Sequence, residues 1–380
     1  MGDSVLVHPD GKFIREVMAA GAGDLKKCYQ CATCSAVCEL STDGASFPRQ
    51  QVLAVQWGNR DKVLEDPAPW LCFYCGDCST RCPRQANPGE TMMALRRYLT
   101  AQYDWTGLSR LMYRSAAWEI GVLAAVAAVV VALFTMPRDF GFQLLARSPE
   151  AWSTVRLDRF APKEIVHAAD RILAALLGLL LFSNAARMFH LLTRHKGLPA
   201  SAYLTRIPRV LMEAITQKRW KRCADAEGLA NWRRHALLVS GYATIFALVV
   251  LFLPWFQVED TSFRWASLLG YYSTAILLWS TVSMMADRAR KRTEMHRFSH
   301  LSDWLFPMLL FLTAATGIGV HILRLTNQAM PTYYLYMVHL AIAAPMLVVE
   351  APFGKWAHLL YRPLAILVAA AASEGNETRA

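Results

Sequence analysis

The chain has 380 residues, of which 54% are hydrophobic and 18% charged, and its formal net charge at pH 7 is +11. This composition excludes intrinsic disorder and collagen-like structure. Clustered Lys and Arg can bind nucleic acid, but here ten basic residues lie between Arg194 and Arg234 and five between Arg288 and Arg297, in short loops between apolar segments. The positive-inside rule expects this distribution for cytoplasmic loops, so it argues against a nucleic-acid-binding protein.

Residues 1–100 are predicted to form a soluble head. The sequence does not open with a basic segment followed by an apolar run, so we expect no secretory signal and a head that stays in the cytoplasm. Eight of the nine cysteines lie between positions 28 and 82. In a reducing compartment, such a cluster favours metal binding over disulfides. The ninth, Cys223, lies in a basic loop and is predicted to be an idle thiol.

Two cysteine runs of the same spacing, C-x2-C-x2-C-x3-C, carry the chemistry of the head. The first run is Cys28, Cys31, Cys34 and Cys38, and the second is Cys72, Cys75, Cys78 and Cys82. In two-cluster ferredoxins, three cysteines of a run bind one 4Fe-4S cluster and the fourth binds the other. One predicted ligand set is therefore Cys28, Cys31, Cys34 and Cys82. The other is Cys72, Cys75, Cys78 and Cys38.

Structural zinc is the main alternative for these cysteines. Four-cysteine zinc sites usually take two C-x2-4-C pairs separated by a longer loop, whereas here the tighter cluster spacing occurs twice. The helix-like segment 46–66 lies between the runs. The head is therefore predicted to be a small, helical, ferredoxin-like domain with two clusters.

The rest of the chain is predicted to be membrane-associated and all-α. Residues 101–115 are predicted to form an interfacial linker helix, with Tyr103, Trp105 and Tyr113 at headgroup level. A transmembrane domain over 116–364 and a tail over 365–380 follow. The predicted spans are 116–136, 165–192, 235–256, 265–286, 304–324 and 333–360. The resulting fold is a two-cluster head fused to a six-span helical bundle, in the inner membrane with head and C-terminus cytoplasmic.

Histidines in or near the predicted spans are candidates for a second kind of cofactor. An imidazole in hydrocarbon is uncommon, and in an iron–sulfur protein its leading use is axial ligation of haem b. Depth in the predicted topology pairs His235 with His358 near the cytoplasm and His339 with His321 near the periplasm. His167 is the alternative to His321. The last span is long enough to place His339 and His358 near opposite faces of the membrane.

Other polar groups near hydrocarbon leave their roles open. His190 is a further alternate haem ligand, although its position beside a basic loop favours an interfacial role. Asp170, Arg171 and Glu119 are candidates for a quinone or proton-relay site, with plain interfacial or salt-bridging roles as the alternative. Three arginines are candidates to pair with haem propionates or to snorkel at span ends: Arg187, Arg324 and Arg362.

The cysteine runs joined to a six-span segment resemble the C-type subunit of quinone-interacting membrane-bound oxidoreductase complexes, in which a heterodisulfide reductase C-type iron–sulfur part is fused to an E-type cytochrome b part. Val338–Leu340 with Ala351–His358 is similar to the haem-ligand helix of the nitrate reductase gamma-chain superfamily, which implies that both its histidines bind haem. Arg234–His235 resembles the proximal ligand position of the partner helix. That helix would carry a second histidine further on, but residues 243–248 contain none. The distal ligand must therefore come from elsewhere, or the distal haem is absent.

The resemblance implies an electron-transfer subunit that is not active alone. It would carry two 4Fe-4S clusters and one or two haem b groups. It would link a quinone, expected to be menaquinone, to cytoplasmic flavin and iron–sulfur subunits of the heterodisulfide reductase A-like type. In dissimilatory sulfur metabolism such a complex would couple menaquinol to adenylylsulfate reductase, or run in reverse. No Gly-rich dinucleotide fingerprint follows a predicted strand, so flavin is expected on other subunits.

Three other functions stay open. One is a heterodisulfide reductase-type electron-transfer subunit that uses a different lipid carrier. Another is a haem-free iron–sulfur anchor whose histidines are structural. The third is a zinc-bearing membrane regulator.

Overall fold

A computed structural model of the chain describes residues 8–42, 44–135, 153, 155–156, 163–218, 226–252 and 265–377. Cys223 and most of the predicted periplasmic loop over 137–164 lie outside these residues. The described ranges contain helices and turns but no β-strand, so the predicted all-α class is confirmed.

The head consists of short helices around one longer helix. In chain order they are α1 (Gly11–Ala19), α2 (Thr33–Ala36), α3 (Arg49–Gln56), α4 (Arg60–Leu64), α5 (Ala68–Leu71), α6 (Asp77–Thr80) and α7 (Pro88–Tyr103). Asp10 starts α1, because its carboxylate accepts hydrogen bonds from the backbone N–H groups of Lys12 and Phe13. Pro88 starts α7 at a position where its missing N–H would have no helical partner anyway.

The core of the head forms where α1, α3 and α7 meet. Phe13, Val55 and Leu95, one from each helix, are completely buried. The ring of Phe13 packs edge-on against Tyr98, with 5.1 Å between centroids. These contacts hold both cysteine runs, which lie in the loops around α2 and α6 and in these two short helices themselves.

The second part of the chain consists mainly of long helices. In chain order they are α8 (Leu108–Arg114), α9 (Ala116–Thr135), α10 (Lys163–Thr193), α11 (Ala200–Leu204), α12 (Ile207–Thr216), α13 (Ala226–Val250), α14 (Trp265–Ala289), α15 (Glu294–Arg297), α16 (Leu301–Leu325), α17 (Ala329–Pro345), α18 (Ala351–Phe353) and α19 (His358–Glu377). Helices α13, α14, α16, α17 and α9 pack side by side in that order. Helix α10 packs mainly on α7 of the head and on α19.

Six described helices are long and apolar enough to cross a membrane, consistent with a membrane protein. They are Ala116–Thr135, Val166–Thr193, Ser267–Ala289, Leu301–Leu325, Ala329–Phe353 and Lys355–Ser373. The number of candidate spans agrees with the prediction, but the segments of the chain that form them differ. Helix α13 covers most of the third predicted span, yet it is not among the six because Arg233 and Arg234 lower the hydropathy of its described part.

The last predicted span, 333–360, is wrong as a single helix. Helix α17 ends at Pro345, a π-helical turn follows over Met346–Glu350, and the chain bends at Gly354 after α18. A Cβ atom at position 354 would lie 2.1 Å from Oε2 of Glu350, so only glycine allows this carboxylate to fold back on the bend. A 3-10 turn over Lys355–Ala357 then leads into α19.

Helix α19 packs on the head. Tyr361 is completely buried in the same core as Leu95 and Trp70. Its ring packs edge-on against Trp70 and Tyr103, at centroid distances of 5.4 and 5.3 Å. Residues 365–377, which the sequence assigns to a tail, are therefore part of a helix that belongs to the head's core.

The linker is also more buried than predicted. Tyr103 ends α7 inside the core and Tyr113 of α8 is buried, so neither side chain is exposed to lipid headgroups. Trp105 is exposed, and its indole N–H donates to Ser183 Oγ of α10 at 2.9 Å. Helix α7 continues into the predicted linker as far as Tyr103, whose ring packs against Trp70 of α5 and Tyr361 of α19.

Candidate redox centres

The two cysteine loops share one backbone conformation. Gln30 and Tyr74, each just before the second cysteine of its run, have φ angles of 66° and 56°. Ala32 and Gly76, each just after that cysteine, have φ angles of 68° and 93°. Residues other than glycine rarely adopt this left-handed conformation. Its repetition in both cysteine loops indicates a backbone shape that is set by the group the cysteines bind.

The structure brings Cys28, Cys31, Cys34 and Cys82 together. Burial raises the pKa of the Cys34 thiol, and the neighbouring thiolates of Cys28, Cys31 and Cys82 raise it further. The fourth cysteine of the second run therefore lies with the first three of the first run, the arrangement that two-cluster ferredoxins use.

The remaining four cysteines form the second set. Burial raises the pKa of Cys38 to about 11, and the thiolates of Cys72 and Cys75 contribute to the rise. Burial also raises the pKa of Cys78, and the thiolates of Cys72, Cys75 and Cys38 raise it further. The weaker influence of Cys34 on Cys78 shows that the two sets adjoin.

Both sets fit 4Fe-4S clusters by their donors. Backbone N–H groups of Tyr74 and Ala86 donate to Cys72 Sγ and Cys82 Sγ, each at 3.3 Å, and hydrogen bonds to sulfur are typical of iron–sulfur sites. In the part of the chain that the structure describes, no three His, Cys, Asp or Glu side chains are grouped tightly enough to hold a single metal ion. Four thiols per set match the four cysteines that a 4Fe-4S cluster takes.

Two arginines lie beside the second cysteine set. Half-buried Arg96 donates to the carbonyl oxygen of Pro69 at 2.7 Å and also to that of Cys72. The Arg362 guanidinium lies 4.8 Å from the centre of the Phe73 ring. Burial raises the pKa of Cys72, and the positive charges of Arg96 and Arg362 oppose that rise.

His235 and His358 lie together near this set. His358 Nδ1 is 2.6 Å from the carbonyl oxygen of Lys355, and His235 Nδ1 is 2.8 Å from Oε1 of Gln217. A charge on one imidazole acts on the other, and the charge of Arg362 acts on both. A hydrogen bond at Nδ1 fixes the tautomer that presents Nε2 to a metal, so the pair suits axial haem ligation.

The structure gives His339 and His321 separate partners. His339 Nδ1 is 2.9 Å from Thr316 Oγ1, and its ring lies against Gly317. His321 Nε2 is 2.7 Å from the hydroxyl of Tyr271 on α14. These contacts leave the predicted pairing of His339 with His321 a prediction.

The alternate ligands lie on α10. His167 is half-buried, and its carbonyl oxygen accepts from Arg171 Nε at 3.1 Å. His190 is exposed towards the other end of the same helix. Arg187, one of the arginines considered for propionates, donates instead to the carbonyl oxygen of Gln102 in the head, at 3.2 Å.

The three quinone-site candidates have different surroundings. Asp170 and Arg171 are exposed on α10. Glu119 is completely buried, and neither of its carboxyl oxygens has a hydrogen-bond partner among the described residues. Only Glu119 therefore occupies an enclosed site.

Sequence reasoning missed a second carboxyl of this kind, Glu350. It is also completely buried, and its Oε1 has no hydrogen-bond partner within the described ranges. The signal was present, because Glu350 is an ionisable residue inside an apolar run, the same criterion that selected Glu119.

Comparison with known proteins supports the iron–sulfur assignment. Residues 24–86 match the 4Fe-4S dicluster domain family. An Archaeoglobus profundus protein named for its likeness to the C-type subunit of heterodisulfide reductase is 38% identical over 84 residues, which are 22% of this chain and 45% of that protein. The C-type subunit of the H(2):CoB-CoM heterodisulfide,ferredoxin reductase of Methanothermobacter thermautotrophicus is 36% identical over 76 residues, or 20% of this chain and 41% of the relative.

A third relative agrees with these two. The C-type subunit of the ferredoxin:CoB-CoM heterodisulfide reductase of Methanosarcina acetivorans is 40% identical over 73 residues, which are 19% of this chain and 29% of the relative. The chain thus spans less than half the length of these relatives. No solved structure matches it significantly. The N-terminal region therefore contains a 4Fe-4S dicluster domain similar to part of the C-type heterodisulfide reductase subunits.

Proposed function

We propose that this chain is the membrane electron-transfer subunit of a quinone-dependent oxidoreductase complex. The observation that carries the proposal is the position of Arg362, whose charge acts on Cys72 and on both His235 and His358. The second cysteine set and the imidazole pair therefore share one neighbour. Iron–sulfur clusters and haem b, when bound there, supply one-electron transfer.

The chain's own residues have separate roles in this proposal. The two cysteine sets hold the clusters and protect them within the head. His235 and His358 hold a haem at the end of the bundle that faces the head. His339, with His321 or His167, is proposed for a second haem, and the separate hydrogen bonds of His339 and His321 make this the less supported site.

The partners follow from the domain match and the resemblance. The relatives' names describe C-type subunits of heterodisulfide reductases, so the proposed partners are cytoplasmic flavin and iron–sulfur subunits of the A-like type. Menaquinone is the proposed lipid carrier, and adenylylsulfate reductase the proposed final partner, with electrons flowing in either direction. We propose that the C-terminal helix lies with the head on the cytoplasmic side of the inner membrane, and the packing of α19 on the head supports this.

Spectroscopy of the purified full chain tests this function. A reduced-minus-oxidised spectrum should show a b-type α band, iron and acid-labile sulfide should correspond to two clusters, and the haem-to-polypeptide ratio should be one or two. A preparation with clusters but without haem would support the haem-free anchor instead. A preparation that contains haem but does not oxidise or reduce quinones would favour another lipid carrier.

A variant tests the ligand assignment. His358→Ala should lose the haem nearest the head and keep its iron–sulfur content, because the cysteine sets lie on other elements. His195→Ala, which removes an exposed imidazole paired with Glu65, is the matched control and should keep every haem. An unchanged haem spectrum in His358→Ala would contradict the assignment.

A further inference from the structure

Two carboxyls without a cationic partner lie in an apolar enclosure at the head end of the bundle. Glu119 of α9 and Glu350 of the π-helical turn have no exposed surface. The apolar cluster around them is contributed by α8, α9, α16, the turn and α18, and its buried members are Met112, Leu123, Leu305, Val349 and Phe353. Among the described residues the pair has one hydrogen-bond donor, the backbone N–H of Lys355 on Glu350 Oε2, to offset desolvation, so at least one of the two carboxyls is expected to hold a proton.

The two carboxyls interact with each other and with Tyr113. Burial raises the pKa of the Tyr113 hydroxyl well above its usual value, and the charges of Glu350 and Glu119 raise it further. The charge of Glu350 also acts on Glu119. Since two neighbouring carboxyls resist ionising together, they titrate as a pair that shares its last proton.

Lys355 connects this pair to the imidazole of His358. Its backbone N–H donates to Glu350 Oε2 at 3.4 Å, and its carbonyl oxygen is 2.6 Å from His358 Nδ1. Its ammonium group pairs with Asp303 at the start of α16. Lys355 is therefore hydrogen-bonded both to the carboxyl pair, through Glu350, and to His358.

The other charged groups nearby already have partners. Asp303 is matched by Lys355, by Arg97 at 3.2 Å and by Arg288 at 3.8 Å. Arg97 also pairs with Glu90 at 2.8 Å. His300 caps α16, and its ring lies 6.2 Å from that of Tyr113. Of the acidic groups in this region, Glu119 and Glu350 are the ones that lack a cation within hydrogen-bonding distance in the described structure.

We propose that Glu119 and Glu350 form a proton-loading site coupled to the electron carried at His358. The inference rests on the proposed function, because it requires a haem held by His358. For each electron passed to that haem, one proton adds to a carboxylate oxygen of the pair and forms an O–H bond. The electron and the proton both come from a hydroquinone, which loses one O–H bond per electron and becomes a quinone after it has lost two electrons. In the reverse direction both return to the quinone.

The test is the pH dependence of the haem's midpoint potential, measured optically on the purified full chain in lipid nanodiscs. Because proton binding stabilises the reduced state, the potential should fall as pH rises, by up to about 59 mV per tenfold change in proton concentration. The double variant Glu119→Gln, Glu350→Gln should lose most of this slope. Glu16→Gln, which changes a partly exposed head carboxyl, should keep it.

A second measurement compares the unmodified chain with Glu350→Gln. Its redox-difference infrared spectrum should contain a protonated-carboxyl band that shifts in deuterated water, and Glu350→Gln should remove that band. A haem potential that is independent of pH, or a slope that survives in the double variant, overturns the inference alone. A chain without haem overturns the proposed function and the inference with it.

Discussion

At the residue scale, the matching cysteine loops differ in one important position. Both runs place a left-handed residue directly after their second cysteine, yet the first uses Ala32 and the second uses Gly76. A left-handed conformation costs about 1–2 kcal/mol for a residue with a Cβ atom. At Gly76 a Cβ atom would also come within 3.0 Å of Cγ of Met295, in the short helix α15.

These positions predict opposite effects for two small substitutions. Gly76→Ala should speed the loss of the cluster held by the second cysteine set, because it adds both backbone strain and a contact with Met295. Ala32→Gly should slow the loss of the other cluster, because it relieves the backbone strain at this position. The effect should be smaller, since glycine gives the unfolded chain more freedom, which offsets about 0.4–1 kcal/mol of the relieved strain. Release of iron to a chelator on heating measures both. Equal rates in the two variants would contradict the argument.

The sequence predicted the cysteines well because their spacing is set by the cofactor and not by the fold. It predicted the pairing of His235 with His358 from depth alone, and the structure places the two side chains near each other. Glu350 met the criterion that selected Glu119, but the sequence did not predict its enclosure, which depends on a bend at Gly354. A hydropathy average over residues 333–360 does not distinguish two helices joined by a bend from one continuous apolar helix.

At the element scale, α7 and α16 are joined by a buried ion-pair network. Arg97 of α7 pairs with Glu90 on its own helix and with Asp303 on α16, and all three side chains are less than a tenth exposed. Tyr74 extends the network to the second cysteine loop, since its hydroxyl donates to Glu90 at 2.7 Å. The head is therefore linked to the bundle by charges that have little access to water.

Removing Arg97 should loosen this link strongly. Arg97→Met leaves Glu90 buried without its cation and Asp303 with one partner fewer, which costs on the order of 3–5 kcal/mol. Arg194→Met is the matched control, because it breaks a half-exposed pair between α10 and Glu65 of the head and should cost about 1 kcal/mol or less. Thermal unfolding and limited proteolysis between head and bundle measure the difference. Similar stabilities for the two variants would show that burial of the network has no effect.

The exposed apolar face of helix α12 predicts that this helix contacts the lipid surface. Leu211, Met212 and Ile215 are exposed, while Val210 is buried on the opposite side, where α12 packs on α19. With Arg209 nearby, this amphipathic pattern is typical of a helix that lies in the headgroup region. A fluorophore on Ile215→Cys should be quenched several-fold more by nitroxide lipids than one on Arg209→Cys, both in a Cys223→Ser background. Equal quenching would place α12 in water.

The break in the last predicted span illustrates what periodicity and hydropathy cannot predict. Pro352 and Gly354 are breaker signals, but an apolar run on both sides of them also satisfies the length of a span. Whether α19 crosses the bilayer or packs on the head depends on Trp70 and Tyr103, which precede Tyr361 by more than 250 residues. Such a long-range contact has no local signature.

At the scale of the whole molecule, the head and the membrane part share a core. Tyr361 and Val368 of α19 pack with Leu95 and Leu99 of α7, and Leu192 at the end of α10 belongs to the same cluster. The cysteine sets are therefore held at a fixed position relative to the imidazole pair. Fixed spacing is what one-electron transfer between two centres requires, and the charge of Arg362 acts on residues of both centres.

This position predicts that one substitution changes two potentials together. A positive charge stabilises the reduced form of any centre beside it, so Arg362→Gln should lower the midpoint potentials of both the second cluster and the haem at His358. A loss of roughly 1 kcal/mol at each centre corresponds to about 45 mV for one electron. Arg362→Lys should keep most of both potentials, and Arg209→Gln, an exposed cation on α12, should change neither. Redox titration by electron paramagnetic resonance for the cluster and by absorbance for the haem separates the two values. If only one of them moves, Arg362 does not lie between the centres, and the electron path proposed from its position loses its main support.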